Sequence, residues 1–458
     1  MKFTIENVGP IKRAQMEFGD LTILCGKNNT GKTYITYNTF NFLDAIRYFL
    51  TIDVDNQLAV TLLEKGKVSV DLSAYFENYP IMFKLAMDNW VKNEAWRQMA
   101  SHKDFYSKTR MNLDFDHDDL QKFIHNIEIK VHPPITKNCI LHIQKERSSN
   151  DVDFIIENSG NDLPDVDVLR KHLNGFLSFV FNSYFPDAFI ITCERTGVAC
   201  FRPSFVYSPP QKVLSERKDN YDEDAPHYPR PMQKDWRFVV EFKDARLEKS
   251  FIAEKHPSIL NLFSEICGGA YSLDEDTVLF EPQNAQGTKL TTTECSSTVR
   301  SLMELNFYLK HKAKEHQVLI IDEPELNLHP ENQRKMARLL AMLANAGIYI
   351  AITTHSDYII REFNTLIMLS QDKASVKKII KKYKYCSDEL LKPERVRCYV
   401  ASDNTVNPMD ISPKFGIEVT SFDDTISQVN QIQQTILFAS SPEFVGEIRF
   451  REFAKLVI

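Results

Sequence analysis

The sequence predicts an α/β protein organised on a mixed, mainly parallel central sheet, and two stretches carry that expectation. Val318 to Ile321 is an unbroken aliphatic run, as a parallel strand buried on both faces requires, and it ends on Asp322 and Glu323. Leu21 to Cys25 is a second short apolar run. It leads straight into Gly26-Lys27-Asn28-Asn29-Thr30-Gly31-Lys32-Thr33, and then into a helical pattern with Ile35, Leu43, Ile46 and Leu50 on one face. A strand, a glycine-framed loop, a helix and a second acid-tipped strand fit an open sheet that binds its ligand at the carboxyl edge.

The chemistry follows from the residue types. In G-x-x-x-x-G-K-T the glycines let the backbone curl so that N–H groups point inward at phosphate oxygens. Lys32 is then placed to neutralise the β- and γ-phosphates and the Thr33 hydroxyl to ligate Mg2+, with the positive end of the following helix aimed at the same anion. At the tip of the other strand one acid can hold the metal and the next can polarise a water. The pair predicts a site for ATP and Mg2+, with Asp322 and Thr33 as metal ligands and Glu323 as general base.

Composition sets the frame. A chain of 458 residues, 43% hydrophobic and 26% charged, is long enough for more than one core. Its formal net charge of −7 gives no global attraction to nucleic acid, so any such contact needs a local patch. The eight cysteines show no C-x-x-C pair or metal-ligand spacing, which predicts reduced thiols and a cytoplasmic setting. No apolar run reaches the length of a membrane span, so no membrane association is expected.

In chain order, Phe3 and Ile5, then Ala14, Met16 and Phe18, alternate around Gly9-Pro10 and predict a hairpin, read as a small β-lobe. Residues 1–75 form the first part of the central unit. Residues 76–187 read as an insertion: helical around Trp90, Val91, Ala95 and Trp96 and on to about Asn126, then antiparallel strands in IEIKVH, CILHIQK and DVDFIIEN, then a helix near Val168 to Phe181. The acidic cluster Asp114, Asp116, Asp118 and Asp119 around His117 suits a helix cap better than a metal site. Residues 188–370 return to the central unit with the strand Ala188 to Thr192. It ends at Glu194-Arg195, where Arg195 could sense nucleotide, bridge two parts of the fold, or simply pair with Glu194. Prolines 209, 210, 226, 229 and 231 between Ser208 and Gln233 predict an irregular, partner-facing excursion.

Before the acid-tipped strand, Cys295-Ser296-Ser297-Thr298-Val299-Arg300 opens a helix with Leu302, Leu305 and Leu309 at helical spacing. Ser296 or Ser297 can cap it, and a helix start with hydroxyls is also a phosphate-binding device. Ile348 to Ile352 is a further buried-strand run. It ends Thr353-Thr354-His355-Ser356, putting His355 at the same edge as Glu323, within reach of a γ-phosphate.

These motifs, in this order, resemble the ABC-type ATPase heads of the SMC and OLD-like classes over about residues 1–60 and 190–430. Gly26 to Thr33 is similar to Walker A, Val318 to Glu323 to Walker B, Asn327 to Pro330 to the D-loop, and His355 to the switch histidine. The resemblance implies an ABC-type head with an antiparallel β-lobe and a helical insertion. It also implies a homodimer in which two heads sandwich two nucleotides, with Ser296 and Ser297 of one head closing on the nucleotide of the other, and a larger homo-oligomer beyond it. Thr298 stands where the signature glycine is usual, which implies slow hydrolysis. No long heptad insertion separates the motifs, and no Toprim pattern follows His355. The Ser-Ser-Thr-Val-Arg-Ser-Leu stretch and DEPELNLHPENQ are most similar to the PtuA-like ATPases of Septu anti-phage defence systems, which implies a separate HNH nuclease subunit as partner. The other reading kept open is a stand-alone DNA-repair or chromosome ATPase that binds DNA ends.

Residues 371–458 complete the chain as a carboxy-terminal lobe. Lys373, Lys377 and Lys381, with Lys378 and Lys382 beside them, form a basic helical stripe opposite Val376, Ile379, Ile380 and Tyr383. It is either a DNA contact or a solvated face. The acids Asp388, Glu389, Asp403, Asp423 and Asp424 lack the spacing of a two-metal nuclease, so no nuclease activity is expected from this chain alone.

Overall fold

The computed structural model of the chain describes residues 2–49, 51–76, 78–160, 163–207, 228–242, 248–418, 431–433 and 435–436. A nine-stranded mixed sheet organises it. Its central strand, Leu21–Cys25, is flanked by Tyr349–Thr354 on one side and Val396–Ser402 on the other, both parallel to it. Beyond Tyr349–Thr354 come Val318–Asp322 and then Ala188–Ile191, again parallel. All five residues of Leu21–Cys25 and of Val318–Asp322 are buried. Alternate residues of each strand serve different cores: Ile23, Leu319 and Ile321 face one, while Leu24, Val318 and Ile320 face the other. A strand with helices on both faces has no solvated side, which is why these runs show no polar alternation.

The other half of the sheet is mostly antiparallel, with one parallel pairing where Thr405 meets Arg13. Thr405–Pro408 pairs with Val396–Ser402, and the hairpin Lys2–Val8 and Ile11–Glu17 follows, with Phe3 opposite Met16 and Ile5 opposite Ala14. The hairpin is therefore an extension of the main sheet rather than a separate lobe. Its edge is closed by Arg110–Asp114, a strand inside the stretch expected to be helical. Only Met111 and Leu113 point inward there, so the period-two signal is two residues long and easily lost between helices Tyr79–Trp90 and His117–Asn126. Asp116 caps the second of these helices, its carboxylate accepting from the backbone N–H of Asp118 and Asp119.

A second, five-stranded antiparallel sheet is built from Lys67–Asp71, Asp151–Asn158, Cys139–Lys145, Ile129–Val131 and Pro134–Thr136. Lys67–Asp71 pairs with a strand some eighty residues later, so this sheet runs across the expected division at residue 75. Helix Val166–Asn182 buries Leu169, Leu173, Leu177 and Phe181 between it and the main body. A small third sheet, Gly269–Asp274, Thr277–Pro282 and Leu290–Thr291, precedes the helix Ser297–Phe307, and the Tyr271 hydroxyl donates to the Val299 carbonyl.

Of the proline-rich excursion, residues 208–227 lie outside the described residues, as do Leu50, Asp423 and Asp424. Its end is not irregular: Arg230–Val240 is a helix. Pro229 and Pro231 occupy its start, where a missing N–H costs nothing. The lysine stripe does lie on a helix, Ala374–Tyr383, preceded by Lys373 at the cap position. No residue of this helix is fully buried: Val376 and Ile380 are half-buried, while Ile379 and Tyr383 are 44% and 58% exposed, so its apolar face is only partly covered. All eight cysteines are free thiols, and among the described residues no helix is long and apolar enough to cross a membrane.

Candidate nucleotide site

The Gly26–Thr33 loop sits between its strand and helix Lys32–Phe49 at the carboxyl edge of the parallel strands. Two glycines are required by close approach. At Gly26 (φ 140°) a Cβ would lie 2.5 Å from the Ala401 carbonyl oxygen, and at Gly31 (φ 91°) 2.6 Å from Ile11 Cδ1. Lys27, Asn28 and Asn29 are exposed, Thr30 half-buried, and Thr30 Oγ1 donates to the Lys27 carbonyl. The buried Lys32 ammonium donates to the carbonyls of Gly26 and Lys27 at 3.0 and 2.8 Å. Burial lowers its pKa, and the nearby Glu323 and Asp322 partly offset that.

The acid-tipped strand delivers Asp322 and Glu323 to the same cleft. Thr33 Oγ1 lies 3.3 Å from Asp322 Oδ2. Thr353, on the neighbouring strand, donates its hydroxyl to Asp322 Oδ1 and accepts from the Glu323 backbone N–H at 3.1 Å. Glu323 takes a left-handed backbone (φ 50°), which turns its carboxylate out of the strand line, and Oε1 meets His355 Nε2 at 3.2 Å. His355 is held from behind by its backbone N–H donating to Glu325 Oε1 at 2.7 Å, which also accepts from Thr354 Oγ1 at 2.8 Å. Burial raises the Glu325 pKa. The result is an open cleft of about 450 Å³ lined by Asn28 to Tyr34, Pro10, Asp322, Glu323 and His355.

These residues fit a magnesium nucleotide. The close-approach glycines let the loop pack against Ala401 and Ile11 in positive-φ conformations, which fixes the curl of its backbone. A hydroxyl and a carboxylate 3.3 Å apart are hard oxygen donors of the kind Mg2+ takes. Lys32 supplies a cation within the loop.

The match of the sequence to a family model agrees with this geometry. Residues 1–360 match the AAA ATPase domain model. The chain belongs to the AAA ATPase domain family. Nucleotide binding and ATP hydrolysis, usually with Mg2+, are the activity that membership in this family brings. No curated protein matches this AAA ATPase. Among solved structures, it is similar to an Smc head bound to the C-winged helix domain of ScpA (10% identity, TM-score 0.33, covering 90% of this chain and 97% of that one). It is also similar to the SMC head domain from Thermotoga maritima (12%, TM-score 0.28, covering 90% and 98%). A third is an Smc head domain with an extended coiled coil bound to the C-terminal domain of ScpA from Pyrococcus furiosus (10%, TM-score 0.29, covering 94% and 98%).

The serines singled out in the sequence stand apart from the cleft lining. Ser296 caps helix Ser297–Phe307, its Oγ accepting from the Val299 N–H, and both Ser296 and Ser297 are exposed. Thr298, in the position of the usual glycine, donates its hydroxyl to the Asn327 carbonyl at 2.6 Å, and Ser301 Oγ donates to the Leu326 carbonyl. The helix start is thereby tied to the turn that follows the acids.

Arg195 makes no ion pair with Glu194. It is 4% exposed, and its guanidinium donates to four carbonyls: Thr192, Ser301, Asp322 and Glu323. Thr353 and Glu325 were also unassigned by sequence reasoning. The pattern offered a trace of each, in the threonine pair before His355 and the second acid of DEPE.

Proposed function

We propose that this AAA ATPase binds and hydrolyses ATP as a homodimer closed around two nucleotides, and that it is the ATPase subunit of a Septu-type anti-phage defence complex, regulating a separate HNH nuclease subunit. The observation that carries the hydrolytic part is the convergence of Thr33, Asp322, Glu323 and His355 on one cleft beside the Lys32 loop. Lys32 and the loop N–H groups of Lys27 to Lys32 would hold the phosphates, with Thr33 and Asp322 oriented as oxygen donors to Mg2+, which withdraws charge from the phosphoryl group when bound. Glu323 would take the proton of the attacking water. His355 would hold that carboxylate and reach the γ-phosphate. The exposed Ser296–Ser297 helix start would complete the partner's site.

The defence assignment is supported by the likeness of the Ser296 to Leu302 and Asp322 to Gln333 stretches to PtuA-like ATPases. A bound nucleotide can shift such a complex only by its differential affinity for the restrained and released states, and a tenfold change needs about 1.4 kcal/mol. The test is co-purification with the product of the adjacent gene and mass measurement, followed by plasmid cleavage by this chain, the nuclease subunit and the complex across an ATP titration. Cleavage that needs the nuclease subunit and responds to ATP is expected. Robust metal-dependent cutting by the lone chain, surviving Asp322→Ala, overturns the division of labour, and ATP-indifferent cutting by the complex overturns the regulation.

One observation favours the reading as an ATPase acting on DNA ends: helix Ala374–Tyr383 carries Lys377, Lys378, Lys381 and Lys382, all exposed. Lys377 is engaged by Asp372 at 2.6 Å. About four neutralised phosphates would give a salt slope near −3.6, and a flat dependence of DNA binding on salt removes this reading.

A further inference from the structure

Behind the cleft lies a group of charges that the ATPase chemistry does not use. Arg195, at the start of helix Arg195–Tyr207, donates at once to the carbonyls of Asp322 and Glu323 (2.6 and 2.5 Å) and of Ser301 in the helix that begins at Ser297 (3.1 Å). One guanidinium therefore ties the acid turn to the serine-bearing helix. A buried cation bonded only to carbonyls needs a counter-charge, and two acids surround it. Asp235, in helix Arg230–Val240, accepts from the Thr192 N–H at 3.0 Å and from the Thr192 hydroxyl. Glu304, one turn beyond Ser301, faces Asp235, and both are essentially unexposed. Two carboxylates against one guanidinium leave a surplus charge unless one keeps its proton. Burial pushes both carboxyls above the usual carboxylate range, so the pair retains a proton between them. Helix Arg230–Val240 also reaches the phosphate-loop helix, where Arg230 and Lys234 meet Asp44 at 2.6 and 3.2 Å.

We propose that Arg195, balanced by Asp235 and Glu304, is a positioning residue that locks the Asp322–Glu323 turn and the Ser296–Ser297 helix start into one rigid unit, so that a single chain's Arg195 sets the geometry of two composite ATP sites. This rests on the nucleotide-sandwich reading above. In that dimer each site takes its acids from one chain and its serines from the other. A change at Glu323 spoils one site. A change at Arg195 displaces both what a chain uses and what it lends.

The test mixes purified full-length chains and measures ATP turnover and ATP affinity against composition. Wild type mixed with Glu323→Gln should lose activity in proportion, to about one half at equal amounts, because each mixed dimer keeps one intact site. Wild type mixed with Arg195→Lys should fall with the square of the wild-type fraction, to about one quarter, because the mixed dimer keeps none. Arg195→Lys alone should retain ATP affinity within about threefold while turnover falls at least about tenfold, since lysine keeps the charge and loses the fork. Should Arg195→Lys not fold, Asp235→Asn combined with Glu304→Gln keeps side-chain volume and strips the counter-charge, and the same quadratic loss is expected. A proportional fall with the Arg195 variant, in a protein whose Lys32→Ala and Ser297→Arg chains recover about one quarter of wild-type turnover on mixing, overturns the proposal and leaves the sandwich standing. No recovery on mixing folded Lys32→Ala and Ser297→Arg chains overturns the sandwich reading itself, and the proposal with it.

Discussion

His355 Nε2 stands 3.2 Å from Glu323 Oε1, across the gap between two parallel strands. Each is fixed from its own side: Glu323 by its N–H on Thr353, His355 by its N–H on Glu325. Glu323→Gln keeps the size and removes the base. ATP affinity should be retained while turnover falls by about 10²- to 10⁴-fold. Calorimetry beside steady-state turnover checks this, and wild-type turnover in the variant would remove Glu323 from the role of base.

Lys32→Ala should abolish ATP binding. The polyanion keeps its charge, and the loop loses both the ammonium and the bonds by which it holds the carbonyls of Gly26 and Lys27. Unchanged affinity in calorimetry would displace the site from this loop.

Thr353→Val tests a contact two strands can make only together. The substitution keeps the volume and deletes the hydroxyl that donates to Asp322 and accepts from the Glu323 N–H. A residue that orients a metal ligand typically alters metal affinity by about 10- to 100-fold. The Mg2+ concentration giving half-maximal turnover should rise by at least about tenfold, and the fold should lose about 1 kcal/mol. A magnesium titration at saturating ATP and a thermal melt measure the two effects, and an unmoved magnesium midpoint would detach Thr353 from the metal site.

The placement of the central strands, the phosphate loop and the Asp322–Glu323 edge was legible because each depends on contiguous residues: an unbroken apolar run, a glycine spacing, an acid at a strand tip. What was not legible depends on contacts between distant segments. The four carbonyl partners of Arg195 come from three separate elements, and no local pattern joins Asp235 to Glu304. Arg110–Asp114 has two inward side chains, too few for a period to show. The sequence shows an apolar face on Ala374–Tyr383, but an amphipathic pattern states that a face is apolar, not how far it is covered.

Ser296 and Ser297 are exposed, whereas the cleft of the same chain is lined by other residues, so a role for these serines in ATP turnover requires a second copy. Lys32→Ala chains cannot bind ATP but can lend an intact helix start. Ser297→Arg chains bind ATP but lend an obstructed one. Each should be inactive alone. In a mixed dimer, one composite site combines both defects and the other combines none. Random pairing at equal amounts makes half the dimers mixed, so turnover should recover to about one quarter of wild type. Two further readouts guard the interpretation: both variants should elute as the wild type does in gel filtration, and Ser297→Arg should retain ATP affinity. No recovery in the mixture, with both chains folded, would mean that the serines cap their own helix and nothing more, as Ser296 visibly does through the Val299 N–H. Activity of Ser297→Arg alone would show that hydrolysis is completed within one chain.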